Sequence, residues 1–250
     1  MVSIPNPRRR ATLPNMQSSE ATERQPESDE RTLREERILD AAATLLTRWG
    51  YRKTTIDDVA REAGVGKGTI YLHWKDKNEL FRAVIARVSE QATEDMMQRI
   101  AADPEGGLFH RVWTHGMLTL FAHPLLAALM TGKSDIFQGM MDSLDPETLN
   151  QLVGNADAHV AQLQRAGLIR ADLPVPIITY LIGALKVGII NVAELGSQEH
   201  VPSMEQLTEG ISDLMRRWLE PEHLPSDSSE GKRIMAEWMK QATEIEKRQQ

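Results

Sequence analysis

The segment from residue 55 to residue 77 constrains this chain most, because its pattern specifies two short helices joined by a tight turn. Its sequence is TIDDVAREAGVGKGTIYLHWKDK. Thr55 and Asp58 form a capping box at the start of the first helix, whose apolar residues recur at helical spacing. Gly64 stands where a helix end needs a left-handed residue, which costs glycine least. Asp76 is placed to cap the next helix. This layout predicts a helix-turn-helix, whose second helix lies in the major groove of DNA.

The charge of this region supports that interpretation. Between Arg48 and Lys77 there are seven basic and four acidic side chains, a local charge of +3, whereas the whole chain has a net charge of −7. A basic patch on an acidic protein is the electrostatic footprint of an element that faces DNA. Patterning and charge alone leave an alternative open, in which these are two ordinary surface helices with solvated charges.

A longer stretch, residues 34–81, resembles the N-terminal DNA-binding domain of the tetracycline-repressor (TetR) family. The matching text is ILDAAATLLTRWGYRKTTIDDVAREAGVGKGTIYLHWKDKNELF, which includes Ala63-Gly64-Val65 and Lys67-Gly68-Thr69-Ile70-Tyr71. The resemblance implies a three-helix DNA-binding domain with a helix-turn-helix. It also implies a C-terminal helical domain that binds a ligand and dimerises.

The resemblance further implies roles for individual residues toward DNA. Thr55, His73 and Lys77 would contact phosphates, while Lys67 and Gly68 would open the recognition helix. Thr69 and Tyr71 would face base edges and the sugar-phosphate backbone. Two positions depart from the family pattern: Gly66 stands where serine is common, and Leu72 where an aromatic residue is common.

The rest of the chain is predicted to be all-α, with about ten helices and no strand of period two. Residues 1–30, rich in Pro, Ser, Glu and Arg, are predicted to be a disordered arm. Thr32 with Glu35 is predicted to cap the first helix, which ends at Gly50. The predicted domains are a DNA-binding domain over 31–77, an effector and dimerisation domain over 78–220, and a linker with an amphipathic helix over 221–250.

Several function classes are excluded or disfavoured by the sequence. Cysteine is absent, so there is no disulfide framework, thiolate nucleophile or cysteine metal site. The common hydrolase, nucleotide-binding and metalloprotease motifs are also absent, so we expect no enzyme, no metal and no cofactor. Residues 175–195 are nearly long enough to span a bilayer, but Lys186 at their centre favours a buried helix instead. We expect a cytoplasmic protein without a membrane partner.

The resemblance implies that two helices, residues 177–195 and 204–219, pair with a second subunit. Apolar side chains recur along both helices. One glycine, Gly188, permits a close approach between helices. The candidate interface residues are Leu181, Leu185, Gly188, Val192, Leu207, Ile211, Leu214 and Trp218. The alternative is that these stripes are buried against their own core.

A ligand pocket is expected where soft, aromatic or polar residues interrupt the apolar helices of the C-terminal domain. The candidates are Trp113, Met117, Phe121, Phe137, Met141, Tyr180 and Lys186. Each of them has an ordinary role in the core as its alternative. Lys186, within an apolar run, is the best candidate to meet an anionic or carbonyl-bearing effector, unless a carboxylate such as Glu194 pairs with it.

The function expected from these features is that of a homodimeric repressor, released from a palindromic double-stranded operator by a small-molecule effector that the sequence does not identify. The alternative is a dimeric DNA-binding regulator without small-molecule input, controlled by a protein partner or constitutive. A cavity of several hundred Å³ in the C-terminal domain would favour ligand sensing, and a closed core the alternative.

Overall fold

The computed structural model describes residues 24–130, 146–195 and 202–247, and these ranges contain ten α-helices and no strand. The all-α prediction is therefore confirmed. The helices are α1 (Arg24–Lys53), α2 (Ile56–Ala63), α3 (Lys67–Tyr71), α4 (Lys77–Ala102), α5 (Phe109–Ala122), α6 (Pro124–Met130), α7 (Pro146–Arg165), α8 (Val175–Leu195), α9 (Met204–Leu219) and α10 (Ser229–Lys247).

Helices α1 to α3 and the first turns of α4 form an N-terminal bundle around a common core. Ile38, Leu45 and Leu46 of α1 pack with Ile70 of α3 and Leu80 of α4, and all five side chains are almost completely buried. Burial of each such side chain stabilises the fold by roughly 1.5–3 kcal/mol. This core fixes the short helix α3, which could not form as an isolated peptide of its length.

The turns of this bundle form where the sequence predicts them. Gly50 has a φ of 77° and introduces a kink near the end of α1. Thr55 and Asp58 form the predicted capping box at the start of α2, and Asp76 caps α4. Gly64 ends α2 in the left-handed conformation, with φ 65° and ψ 35°. These predictions are confirmed because caps depend on hydrogen bonds within one or two turns of chain.

Helix α1 is longer than predicted at its N-terminal end. It is already helical at Arg24, so Thr32 lies inside the helix and is not its first residue. An ion pair between Arg34 and Glu30, four residues apart with an N–O distance of 2.8 Å, supports this extra length. Residues 24–30 are thus helical where a disordered arm is predicted, and the remainder of that predicted arm lies outside the described residues.

Helices α5 and α9 pack along one another at the centre of the C-terminal domain. Met117 of α5 and Met215 of α9 belong to one buried apolar cluster. At the end of α9, the buried carboxylate of Glu220 accepts hydrogen bonds from the backbone N–H and the ring Nδ1 of His110, at 2.9 and 2.8 Å. Pairing with a histidine offsets the cost of burying this carboxylate, and it fixes α9 against the start of α5.

The last helix, α10, folds back onto this domain. It packs on α7 and on the C-terminal end of α4. Gly231 approaches Gly107 so closely that a Cβ at position 231 would lie 1.9 Å from the Gly107 carbonyl oxygen. Lys232 Nζ donates a hydrogen bond to the carbonyl of Ala101, near the end of α4, at 3.2 Å. The sequence predicts α10 as an amphipathic helix, but its docking site depends on this contact between two glycines.

Helix α8 is a long, predominantly apolar helix, and it has two different sides. Ile178 is completely buried in the core, whereas Tyr180 and Val192 are exposed. None of the described helices, α8 included, combines the length and apolarity needed to cross a bilayer.

Candidate nucleic-acid interface and internal cavity

The N-terminus of α2 is organised around Thr55. Its Oγ1 donates to Asp58 Oδ2 at 2.6 Å and accepts from the Asp58 backbone N–H at 3.2 Å. Thr55 itself is exposed, so the first turn of α2 is open to solvent. Exposed amides at a helix N-terminus favour an anion such as a phosphate.

Helix α3 presents one side to solvent because Ile70 fixes its other side in the core. Ile70 is fully buried, whereas Tyr71 is 48% exposed and Leu72 is 78% exposed. Thr69 is half-buried and Gly68 is exposed, with no atom within 4 Å of the position a Cβ would take at Gly68. The exposed side of α3 therefore offers a hydroxyl, a phenol and open backbone to an approaching surface.

Lys67, the first residue of α3, is bound to a carboxylate of α2. Its Nζ lies 2.8 Å from Asp57 Oδ2, and both side chains are exposed. The hydrogen bond that Lys67 donates to Asp57 raises the pKa of Lys67 above its ordinary value. Because exposed ion pairs are weak, a phosphate that approaches α3 competes with Asp57 for this ammonium group.

Lys77, the first residue of α4, has a role inside the bundle. Its Nζ donates to the Tyr51 carbonyl at 2.7 Å and stands 4.2 Å from the centre of the Tyr51 ring. Partial burial lowers the pKa of Lys77. The Tyr51 hydroxyl in turn donates to Asn78 Oδ1. Lys77 therefore joins the end of α1 to the start of α4, in addition to the phosphate contact that the family resemblance implies.

His73 is less accessible than its expected phosphate contact requires. Its side chain is only 7% exposed, and its Nδ1 lies 3.6 Å from Glu35 Oε2 of α1. The ring also lies against that of Trp74, with the two centres 5.2 Å apart. The structure thus places His73 mainly between helices, because the turn after α3 brings it back toward α1.

A cavity of about 370 Å³ lies within the C-terminal domain, a volume in the range of small-molecule sites. Helices α4 to α8 and α10 all contribute to its walls. The lining residues are Ser89, Ala92, Thr93, Met96, Phe109, Val112, Trp113, Gly116, Met117, Thr119, Leu120, Leu126, Ala156, His159, Val160, Thr179, Ile182, Lys186, Met235, Trp238 and Met239. Apolar side chains predominate, and four methionines give the walls an adaptable shape.

A few polar groups interrupt this apolar lining. Thr119 Oγ1, His159 Nδ1 and Trp238 Nε1 are buried and have no hydrogen-bond partner within the described part of the chain. The rings of His159 and Trp238 stack with their centres 4.7 Å apart. Burial lowers the pKa of His159 to about 4 and also lowers the pKa of Lys186. Buried polar atoms without partners are rare in native proteins, so these atoms point to a ligand or water in the cavity.

The structure brings together some of the residues that the sequence proposes for a pocket. Trp113, Met117 and Lys186 line the cavity. Phe121 does not line it and is half-buried in the neighbouring core, and Tyr180 points outward with 76% of its surface exposed. Phe137 and Met141 lie outside the described residues.

Sequence reasoning does not place the C-terminal helix in this wall. Trp238 and Met239 are recognisable beforehand only as members of the apolar stripe of an amphipathic helix. Their position in the cavity depends on the docking of α10 against α7 and α4. The signal in the sequence is an aromatic residue next to methionine on that stripe, and it does not name the surface that the stripe covers.

Comparison with known protein families identifies the N-terminal bundle. Residues 38–84 match the family model described as bacterial regulatory proteins of the tetR family. This match covers α2, α3 and the parts of α1 and α4 that pack on them.

The helix-turn-helix domain of the chain belongs to the TetR family.

The curated relatives of this chain are regulators. It is 45% identical over 58 residues to the uncharacterised HTH-type transcriptional regulator YhgD of Bacillus subtilis, covering 23% of this chain and 30% of the relative. It is 31% identical over 80 residues to the regulator BetI of Klebsiella pneumoniae, covering 32% and 41%. The chain thus spans less than half the length of these relatives. Both relatives are described as transcriptional regulators.

The likeness of fold extends further than the likeness of sequence. The regulator FadR from Bacillus subtilis, solved in complex with stearoyl-CoA, superposes with a TM-score of 0.53 at 20% identity. The superposition covers 72% of this chain and 96% of that one. The C-terminal helices therefore share the fold of that regulator at low sequence identity.

The outward sides of α8 and α9 expose apolar side chains. Leu181, Val192 and Leu214, from the predicted interface set, are exposed, and Tyr180 lies with them on α8. Leu185, Gly188, Leu207 and Trp218 are half-buried. Ile211 is buried within its own protomer, because it faces α5 and not the solvent. The two helices thus combine a core side with an unpartnered apolar side.

Proposed function

We propose that this chain is a homodimeric, DNA-binding transcriptional repressor that a small molecule releases from a palindromic operator. The observation that carries the proposal is the course of helix α4. It begins at Lys77, directly after the helix-turn-helix, and continues without a break until Ser89, Ala92, Thr93 and Met96 line the cavity. One rigid element therefore belongs to both candidate sites.

DNA binding is supported by what α3 presents to solvent. Tyr71, Thr69 and Gly68 are accessible on the side opposite the buried Ile70. The surrounding segment has a local positive charge on an acidic chain, which favours approach to phosphates. Because operator DNA is the proposed partner, we propose a cytoplasmic location.

Dimerisation is supported by the apolar outer side of α8 and α9. Exposed large apolar side chains grouped on the outer sides of helices are typical of protein interfaces. A two-fold axis beside these helices would present two copies of α3. Recognition helices in such dimers read half-sites about 34–36 Å apart, which is one turn of DNA.

The cavity supports control by a ligand. It argues against the alternative, which is a regulator without small-molecule input. A protein that only dimerises has no need for a void of about 370 Å³ with orphaned polar atoms. A solved structure of similar fold is a complex with stearoyl-CoA, which supports ligand binding by a fold of this kind. A ligand would release DNA if it bound more tightly to an α4 orientation in which the two copies of α3 no longer match the operator.

The test begins with selection of bound DNA from a random pool. We expect a pseudo-palindromic site, and we expect Tyr71→Ala and Thr69→Ala to bind it weakly and to select a different consensus. Unchanged binding and consensus in both variants would remove α3 as the recognition helix.

The second stage measures operator affinity with a panel of metabolites and drugs. We expect one class of compound to lower operator affinity, and we expect Gly116→Met to abolish that response by filling the cavity while DNA binding is retained. Gly154→Met is the matched control, since Gly154 is exposed and no atom lies within 4 Å of its Cβ position. Ligands that raise the melting temperature without changing operator affinity would contradict release.

A further inference from the structure

The cavity walls contain more hydrogen-bond donors than acceptors. Lys186 of α8 has an ammonium group with donors only, and the Trp238 indole of α10 has a single N–H and no acceptor. Neither Asp nor Glu occurs among the described residues that line the cavity. Lys186 forms no ion pair with any residue whose side chain the structure describes, and Glu194 lies outside those side chains. The walls therefore favour a ligand that brings acceptors and negative charge.

The other polar groups of the cavity wall are also compatible with a negatively charged ligand that accepts hydrogen bonds. Thr119 Oγ1 is buried without a partner and is able to donate. His159 is neutral at physiological pH because burial lowers its pKa to about 4, so it supplies neither a fixed charge nor a carboxylate. A cationic ligand would find no anionic partner among these groups, and it would be repelled by Lys186.

The apolar walls of the cavity indicate the chemical nature of the rest of the ligand. Met96, Met117, Met235, Met239, Phe109 and Trp113 surround the cavity with apolar surface. The lining residues of α4 extend from Ser89 to Met96 and those of α5 from Phe109 to Leu120, which correspond to about 10 and 16 Å of helix. This length suits an elongated apolar body and not a small polar metabolite.

We infer that the effector of this protein is an apolar organic anion of the carboxylate class, held with its acid group at Lys186 and its body between α4, α5 and the C-terminal helix α10. The inference rests on the proposal that the cavity is the effector site. It assigns α10 a direct part in binding, because Trp238, Met235 and Met239 form the wall that would otherwise be open.

The test uses three probes with the same ten-carbon chain and different head groups: decanoate, 1-decanol and decyltrimethylammonium. Binding to the full chain is measured by calorimetry, below the concentrations at which the probes aggregate and without DNA. We expect decanoate to bind at least about tenfold more tightly than decyltrimethylammonium, the usual size of a charge-assisted hydrogen bond. Equal affinity for the anion and the cation would overturn the inference, and so would the absence of binding by all three probes.

Two variants locate the head group. Lys186→Met, which keeps the length and removes the charge, should weaken decanoate by about tenfold or more and leave 1-decanol unchanged. Lys240→Met, on the exposed side of α10, is the matched control and should change neither. Retained 1-decanol binding shows that Lys186→Met is folded. Unchanged decanoate affinity in Lys186→Met would overturn the assignment and would indicate that a carboxylate of the chain already neutralises Lys186.

The variant Trp238→Phe tests the part played by α10. It keeps an aromatic ring against His159 and removes the N–H, so we expect decanoate affinity to fall about threefold. The quenching of indole fluorescence by bound decanoate should also decrease, and identical affinity and quenching would exclude Trp238 from the site. Because these measurements contain no DNA, failure of operator recognition leaves them unaffected. Decanoate binding without operator release would remove only the proposed effector role.

Discussion

At the scale of single residues, the two lysines that flank α3 have different environments. Lys67 is exposed and pairs only with Asp57, whereas Lys77 Nζ donates to the Tyr51 carbonyl and lies over its ring. The sequence alone does not distinguish the two lysines. In the structure, the Lys67 ammonium group is able to exchange Asp57 for another anion, whereas the Lys77 ammonium group also holds the bundle together.

This difference predicts different outcomes for Lys67→Ala and Lys77→Ala. Both should weaken binding to all DNA sequences and reduce the salt slope by about one unit, as loss of a phosphate contact does. Only Lys77→Ala should also lower the free energy of unfolding, by about 1 kcal/mol, because a carbonyl loses its donor. Anisotropy titrations at several salt concentrations and urea denaturation measure the two effects. A lowered stability in Lys67→Ala, with Lys77→Ala unaffected, would contradict the assignment.

His159 predicts a pH dependence of stability. Its pKa is about 4 in the folded protein and 6.5 for a solvated histidine in the unfolded chain, so between these values the unfolded chain binds more protons. Stability from this group is therefore present above pH 6.5 and is lost as the pH falls toward 4, by about 3 kcal/mol in all. Urea denaturation of His159→Phe should show a smaller loss over this window than the unsubstituted chain. Parallel pH profiles for the two proteins would show that His159 is not responsible.

At the scale of elements, the glycine pair between α10 and the loop after α4 decides where the last helix docks. A Cβ at position 231 would lie 1.9 Å from the Gly107 carbonyl oxygen, a backbone atom that cannot turn aside. We expect Gly231→Ala to displace α10, to lower the free energy of unfolding by about 2 kcal/mol or more, and to open the cavity wall.

The measurement is urea denaturation together with the emission spectrum of the tryptophans, which should shift to the red as Trp238 becomes solvated. Gly154→Ala is the control, because Gly154 lies in the interior of α7 with free space around it. That variant should be stabilised by about 0.5–1 kcal/mol, since alanine favours a helix. Equal stabilities for both variants would show that the glycine contact is unimportant.

Most helices could be placed from the sequence because their ends depend on short-range chemistry. Ser203 and Gln206 form a capping box at the start of α9, as Thr55 and Asp58 do at α2. The start of α1 could not be placed, because a capping box at Thr32 also fits the interior of a longer helix. The burial of Ile211 within its protomer was equally hidden, since an apolar stripe does not name the surface that covers it.

At the scale of the whole molecule, the exposed apolar sides of α8 and α9 are the proposed dimer interface. Leu214 on α9 is 44% exposed in the single chain, so a charge there should leave the protomer folded. We expect Leu214→Glu to convert the proposed dimer into a monomer, which sedimentation measures. We also expect it to weaken operator binding by at least about tenfold. Leu33→Glu, at an exposed position on α1, is the control for added charge. A Leu214→Glu protein that remains dimeric would place the interface elsewhere.

By itself, the sequence determined the all-α class, the helix-turn-helix with its caps at Thr55, Gly64 and Asp76, and the TetR-family character of that domain. These features depend on residues close together in the chain or on a contiguous motif. Only the tertiary structure decided that Lys77 is engaged with Tyr51, that Tyr180 points outward, and that α10 closes a cavity next to Lys186. Such facts arise from contacts between helices far apart in sequence, where a residue's neighbours follow from packing and not from its pattern.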